Sequence, residues 1–160
     1  MITKINTMIY AYDLAGKTQE SMDLVMSMAL QHQAEVILLH VIDPVSPQTE
    51  GMIQSYIPPE TFQKIREKAI NDTREIMQTQ LTEYLNDNLD PLSKLVKKPR
   101  CLVAIGTPNE VIKSTSEKHQ ADLIIMNNRT HSKLGQIMLG SNANKVIHQS
   151  KIPVLVVPIH

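Results

Sequence analysis

One cysteine, Cys101, stands in a chain of 160 residues. An internal disulfide is thereby excluded, and the usage fits a reducing compartment. Neither sign of charge is in excess, since Lys plus Arg and Asp plus Glu both number 16 and the formal net charge is zero with His neutral. Electrostatic binding to nucleic acid or to an anionic membrane needs a clustered basic surface, so neither partner is expected. The one local excess, Lys94, Lys97, Lys98 and Arg100, reads as a solvated loop. Long hydrophobic runs are missing too. The N-terminal apolar patch, Met8–Tyr12, spans about five residues against the ~20 of a membrane helix, is followed at once by Asp13, and has no signal-peptide cleavage site. The expectation is a soluble cytoplasmic protein, one domain over residues 1–160, long enough to bury a core without staples.

Motifs for metal and covalent chemistry are also scarce. The six histidines (32, 40, 119, 131, 148 and 160) show no HxxxH or HExxH spacing, and Cys101 has no cysteine partner, so no metal site is expected. His40 lies inside an apolar strand and reads as a hydrogen-bonded core histidine. For His131 two readings stand, ligand contact or simple exposure. Neither a G-x-S-x-G elbow nor a GK[ST] phosphate loop occurs. The first strand ends in a single Asp13 rather than an acidic pair, which excludes response-regulator chemistry. No catalytic base and nucleophile can be nominated. The nine methionines sit mostly at helix-core spacing and read as packing.

What is present is an alternation of strands and helices. Apolar runs of strand length occupy Met8–Tyr12, Val36–Ile42, Cys101–Ile105, Leu123–Met126 and Pro153–Val157. They are continuous rather than alternating, as strands covered on both faces require. Met22, Val25, Met26 and Ala29 follow a helical repeat, as do Ala143, Val146, Ile147 and Ser150. Phe62, Ile65, Ala69, Thr73, Ile76 and Tyr84 mark a longer helix that stops near Asp90-Pro91. In the segment after the third strand, Thr107 is expected as N-cap, Pro108 as the first helical residue and Glu110 as the reciprocal capping partner. This order predicts an α/β fold with a doubly wound, mostly parallel five-stranded sheet. Residues Asp43 to Pro59, with four prolines and one glycine, read as the longest irregular piece, either a cover over a site or a disordered stretch.

Ligands of such sheets bind beyond the carboxyl ends of the strands, where strand order reverses. Polar groups fall there: Asp13 after strand one, Asn127, Asn128 and Arg129 after strand four, and Ser141 at the start of the last helix. Asp13 can accept from ribose hydroxyls or cap the first helix. Gly140-Ser141 opens a helix between two parallel strands, where free backbone N–H groups point outward toward an anion.

Along essentially its full length the chain resembles the universal stress protein family. The likeness rests on MIYAYD, VILLHVID, GTPNEVI, ADLIIMNNRTHSKLGQIMLGSNANKVI and KIPVLVVP, in that order and spacing. It implies a Rossmann-like, adenine-nucleotide alpha hydrolase-like fold with strand order 3-2-1-4-5, placing the switch point beside Asp13 and Asn127. Family members that bind ATP carry G-x2-G-x9-G-[ST]. Counting back from Gly140, the earlier glycine positions fall on Thr130 and Asn127, so only the terminal Gly-Ser is kept. Asn127 tolerates positive φ, whereas β-branched Thr130 does so at a cost of roughly 1–3 kcal/mol. Both side chains are expected to enter space that glycines leave for phosphates. The Asn127 N–H, the Thr130 hydroxyl and Arg129 are nevertheless phosphate donors. The candidate nucleotide site implied is Ala11, Tyr12, Asp13 and Val41 about the adenosine, with Asn127, Arg129, Thr130, Gly140, Ser141 and Asn142 toward the phosphates. ATP or AMP is the candidate ligand, and Mg2+ only together with a nucleotide. The resemblance also implies a homodimer through the last strand, at Val154, Leu155, Val156 and Val157. Three functions follow: a dimeric stress-response regulator binding an adenine nucleotide, an interaction protein of the same fold without nucleotide, or at most a slow ATP hydrolase.

Overall fold

Val, Ile, Leu and Met dominate the strand-forming runs because a parallel strand here is covered on both faces. The computed structural model describes residues 2–14, 16, 18–129 and 139–159. Its elements run β1 (Thr7–Ala11), α1 (Gln19–His32), β2 (Glu35–Ile42), α2 (Pro47–Tyr56), α3 (Pro59–Asp87), α4 (Leu89–Leu92), β3 (Arg100–Ile105), α5 (Pro108–Lys118), β4 (Leu123–Arg129), α6 (Ser141–Gln149) and β5 (Val154–Ile159). The five strands form one sheet in the order β3-β2-β1-β4-β5, with all four neighbouring pairs parallel. The switch point thus lies between β1 and β4, as expected, and β3 and β5 are the edges.

Strand alternation sends successive side chains to opposite layers. On one face Met8, Tyr10, Leu123 and Ile125 pack with Met22, Val25, Met26 and Ala29 of α1 and with Met77 and Leu81 of α3. On the other, Ile9, Ile37, Ile124 and Met126 pack with Ile112 of α5 and Ala143 and Val146 of α6. Each fully buried aliphatic side chain of this kind contributes about 1.5–3 kcal/mol of transfer free energy.

Several expectations need correction. Residues 43–59 are not irregular: they contain α2, where the Ser46 side chain accepts from Thr49 N–H and Pro47 fills the first turn. The proline is helix-compatible there because the first N–H groups have no intrahelical partner. Nor does α3 bury the expected stripe, since Ile65 and Ile76 are about half exposed while Met77 and Leu81 are fully buried. Neither α2 nor the first half of α3 contains a buried residue. Thr107 does cap α5 with Pro108 at its first turn, but its side chain makes no capping hydrogen bond. Instead its carbonyl accepts from Val111 N–H, so the backbone closes the first turn without the reciprocal box. In α6, Ala143 and Val146 are buried as expected, whereas Ile147 is 40% exposed.

The basic residues ahead of β3 are not all free in solvent either. Arg100 Nε donates to Glu35 Oε1 at 2.7 Å and Lys97 Nζ to Glu35 Oε2 at 3.4 Å, tying the start of β2 to the start of β3. Burial raises the Glu35 pKa, but the Arg100 charge and the hydrogen bonds from Lys97 and Arg100 outweigh it and hold the carboxyl below its ordinary 4.5. A depressed carboxylate stabilises the fold above its unfolded value, and that stability is lost as pH falls through the folded one. Thermal melts below pH 4.5 should therefore show Glu35→Gln losing less stability per pH unit than wild type. Parallel curves for the two proteins would remove this ion pair from the account.

Candidate functional site

Strand β1 ends at Ala11, which registers with Leu39 of β2 on one side and Met126 of β4 on the other. Beyond this point β1 stops while its neighbours continue, leaving a notch at the carboxyl edge. The chain is held as it leaves the sheet. Tyr12 N–H donates to the Leu39 carbonyl at 2.8 Å, and His40 Nδ1 lies 2.9 Å from the Tyr12 carbonyl. Since a carbonyl only accepts, Nδ1 carries the proton in this contact. His40 is thus the hydrogen-bonded histidine expected, and it also positions the turn that presents Asp13. Asp13 itself is half-buried. Val41 lies on β2 and packs with Ala11 against the α5–α6 side of the core.

Strand β4 does not end at Met126. It continues to Arg129, with Asn127 registered against Val157, Asn128 against Pro158 and Arg129 against Ile159. The polar residues read as a loop are therefore strand, because β5 goes on pairing after β1 has stopped. Alternation then separates the two asparagines. Asn127 turns to the α1–α3 face, where its Nδ2 donates to Tyr10 Oη at 2.9 Å, so its side chain points away from the start of α6. The expectation that it fills phosphate space is corrected by this placement. Asn128, 3% exposed, turns to the other face, and its Oδ1 accepts from Gly140 N–H at 2.9 Å. Asn128 is the residue that sequence reasoning left without a role. Its one signal was position, two places after the apolar run of β4 and hence on the same face as Met126.

Gly140 caps α6 with φ −60° and ψ 153°, an extended conformation open to any residue. A Cβ there would meet Asn128 Oδ1 at 3.5 Å, an ordinary contact. Nothing internal therefore demands glycine. Ser141 and Asn142 form the first turn of α6, and both are exposed. Their backbone N–H groups belong to the helix start, which carries partial positive charge. Thr130, His131 and the Arg129 side chain lie outside the described residues.

The α1–α3 side of the notch has a different character. Tyr10 is fully buried, and its ring meets that of Tyr12 edge-on, with centroids 5.9 Å apart. Burial pushes the Tyr10 phenol up, only partly offset by the hydrogen bond from Asn127, so it stays neutral and able to accept. Tyr12 Oη donates to Gln80 Oε1 at 2.6 Å, and Tyr84 Oη to Asp23 Oδ1 at 2.6 Å, fastening α3 to β1 and α1. A groove of about 740 Å³ opens here between Tyr12, Thr18, Gln80 and Ile159, with Glu20 and Asp23 in its wall. Two carboxylates make it a poor place for a phosphate. Among the described residues, no cluster of His, Cys, Asp and Glu could hold a metal ion.

Comparison with known sequences decides the family. The universal stress protein family profile matches residues 4–158. The chain belongs to the universal stress protein family. Universal stress protein MJ0577 of Methanocaldococcus jannaschii is 28% identical over 153 residues, covering 93% of this chain and 92% of its own. Universal stress protein YxiE of Bacillus subtilis is 26% identical over 152 residues, covering 95% and 98%. The solved structure of MJ0577 superposes with a TM-score of 0.66 at 26% identity over 99% of both chains. A universal stress protein solved in complex with cAMP matches at a TM-score of 0.58 and 16% identity, over 99% of this chain and 100% of that one. These neighbours share the five-stranded Rossmann-like α/β fold. Among the described residues of this universal stress protein, no helix is long and apolar enough to cross a membrane.

Proposed function

We propose that this universal stress protein is a dimeric stress-response regulator that binds an adenine nucleotide at the notch between β1 and β4. The observation that carries the reading is the start of α6 as the described residues form it. Gly140 presents no side chain there, its own N–H is occupied by Asn128, and the next N–H groups of the helix lack intrahelical acceptors and so suit an anion. Adenosine would lie against Ala11, Tyr12, Asp13 and Val41, with the phosphates directed to Gly140, Ser141 and Asn142 and away from the acidic groove beside α1. Arg129 and Thr130 would flank the phosphates at the mouth of the loop, Asn127 offering only its backbone because its side chain turns to Tyr10, and Mg2+ would enter only with a nucleotide. The cAMP complex of a fold neighbour supports the adenine class.

The adenosine half should dominate the affinity, because β4 runs as strand through Arg129 where ATP-binding relatives would place glycine. ATP should bind no more than about tenfold tighter than AMP, or ~1.4 kcal/mol. Calorimetry giving a thousandfold preference for ATP would sink this. Replacing Thr130 with glycine should strengthen ATP binding, whereas Asn127→Gly, whose side chain is held by Tyr10 on the other face, should not, and no change on replacing Thr130 would take the phosphates away from this loop. Mass spectrometry of the purified protein for a co-purifying nucleotide tests the reading as a whole.

A second reading, an interaction protein of the same fold without nucleotide, is favoured by one observation. Asn128 Oδ1 already engages Gly140 N–H, as an internal stand-in for an anion would. Absence of AMP and ATP binding at millimolar concentration would select it. The single domain and the dimer through β5 belong to both readings.

A further inference from the structure

A second crevice lies on the α5–α6 face, toward the amino ends of β4 and β5 and so away from the notch. Its floor is apolar, made by Ala121, Ile124, Val146 and Ile152, and its volume is about 240 Å³. An apolar cavity of about 150 Å³ is enough for a benzene ring, whereas drug-sized ligands need roughly 300 Å³ or more. The space suits one ring.

The polar wall holds an imbalance. Asn109, only 7% exposed, lines this crevice. Its Nδ2 donates to Gln149 Oε1 at 2.9 Å, while its Oδ1 is buried without a hydrogen-bond partner. Leaving a buried acceptor unsatisfied costs about 1–3 kcal/mol, so a donor brought to it is rewarded. Oδ1 is shut off from solvent, so a ligand reaches it only when a neighbouring side chain turns, and we assign that movement to Gln149, which is exposed and bonded to the same amide. Lys113 and Lys151 stand at the rim against one carboxylate, Glu117, leaving the entrance with a positive balance.

We propose that the α5–α6 crevice is a binding site for a small monocyclic hydroxy acid. The ring lies on the apolar floor, its hydroxyl donates to Asn109 Oδ1, and its carboxylate remains at the rim with Lys113 and Lys151. The nucleotide reading plays no part in this assignment.

The test uses 4-hydroxybenzoate and benzoate as probes, followed by NMR of the Asn109 and Gln149 side-chain amides of the whole chain. 4-Hydroxybenzoate should shift both signals saturably, and benzoate, which lacks the donor, should bind about fivefold more weakly. Asn109→Leu should abolish that difference, while Gln149→Ala should preserve it. Equal affinity of the two acids for wild type overturns the proposal, as does the lack of any saturable shift at tens of millimolar. The wild-type comparison decides the matter even if Asn109→Leu folds poorly.

Discussion

Gly140→Val should weaken adenine-nucleotide binding by at least a hundredfold, or about 2.7 kcal/mol, and leave the fold standing. The backbone at Gly140 is extended at φ −60° and ψ 153°, a region that valine occupies readily. Its Cβ would find ordinary contact with Asn128 rather than a clash. Losing glycine as an N-cap to valine costs about 1 kcal/mol, which for a chain of this size is a melting shift of about 2–4 °C. A phosphate approaching the first N–H groups of α6 would meet the new isopropyl group directly. Calorimetry and thermal melts on one preparation separate the cases. Retained affinity moves the ligand elsewhere, and a collapse of the melting temperature makes the glycine structural after all.

Val156→Lys should turn a dimer into a folded monomer. Strand β5 is an edge of the sheet, and its four residues Val154 to Val157 are uncharged and half-buried. Leu155 and Val157 pack on the α1–α3 side of the core and Val154 on the other, while Val156 belongs to neither group. Lysine there costs the isolated chain little. In a two-fold pairing of β5 with its copy, the same substitution brings two ammonium groups to one interface and desolvates both. Pro158 lies inside β5, registered with Asn128. Having no N–H, it is tolerated on an edge strand and limits outward pairing to the residues before it. Sedimentation equilibrium at tens of micromolar provides the check. A monomeric wild type, or a dimeric lysine variant, would place any interface elsewhere.

The strands were legible because both faces of β1, β2 and β4 are covered, so that each reads as an unbroken apolar run. The last three residues of β4 were not. Asn127, Asn128 and Arg129 look like a loop by residue type, and only the continued pairing with β5 makes them strand. The same pairing decides which asparagine faces α6, a matter of alternation that composition cannot carry. In residues 43–59 the four prolines read as loop punctuation, although Ser46-Pro47 is equally a helix start. For α3 the repeat was sound in kind but drifted in phase. Over 29 residues more than one apolar stripe can be drawn, and contact with the sheet selects Met77 and Leu81 over Ile65 and Ile76. The site residues that could be named early were those fixed by position at strand ends, such as Asp13 and Gly140. Asn128 acts through a hydrogen bond between distant segments that no local pattern announces, and for His40 the bond was expected but not its partner, the Tyr12 carbonyl.

Helix α3, about 43 Å long, is anchored at one end only. Its second half is bolted to the core by Met77 and Leu81 and tied to neighbouring elements through Gln80 and Tyr84. Its first half and all of α2 contain no fully buried residue, with Ile70 only partly packed on the core, and an ion pair of 3.9 Å between Arg66 and Glu50 links the two, the sort of exposed bridge worth ~0–1 kcal/mol. Short helices without a packed face are marginal in water. Backbone amides along this one helix should therefore exchange with solvent deuterium on graded timescales, fast near Phe62 and slowest around Leu81, so that the helix melts from its free end inward long before the sheet opens.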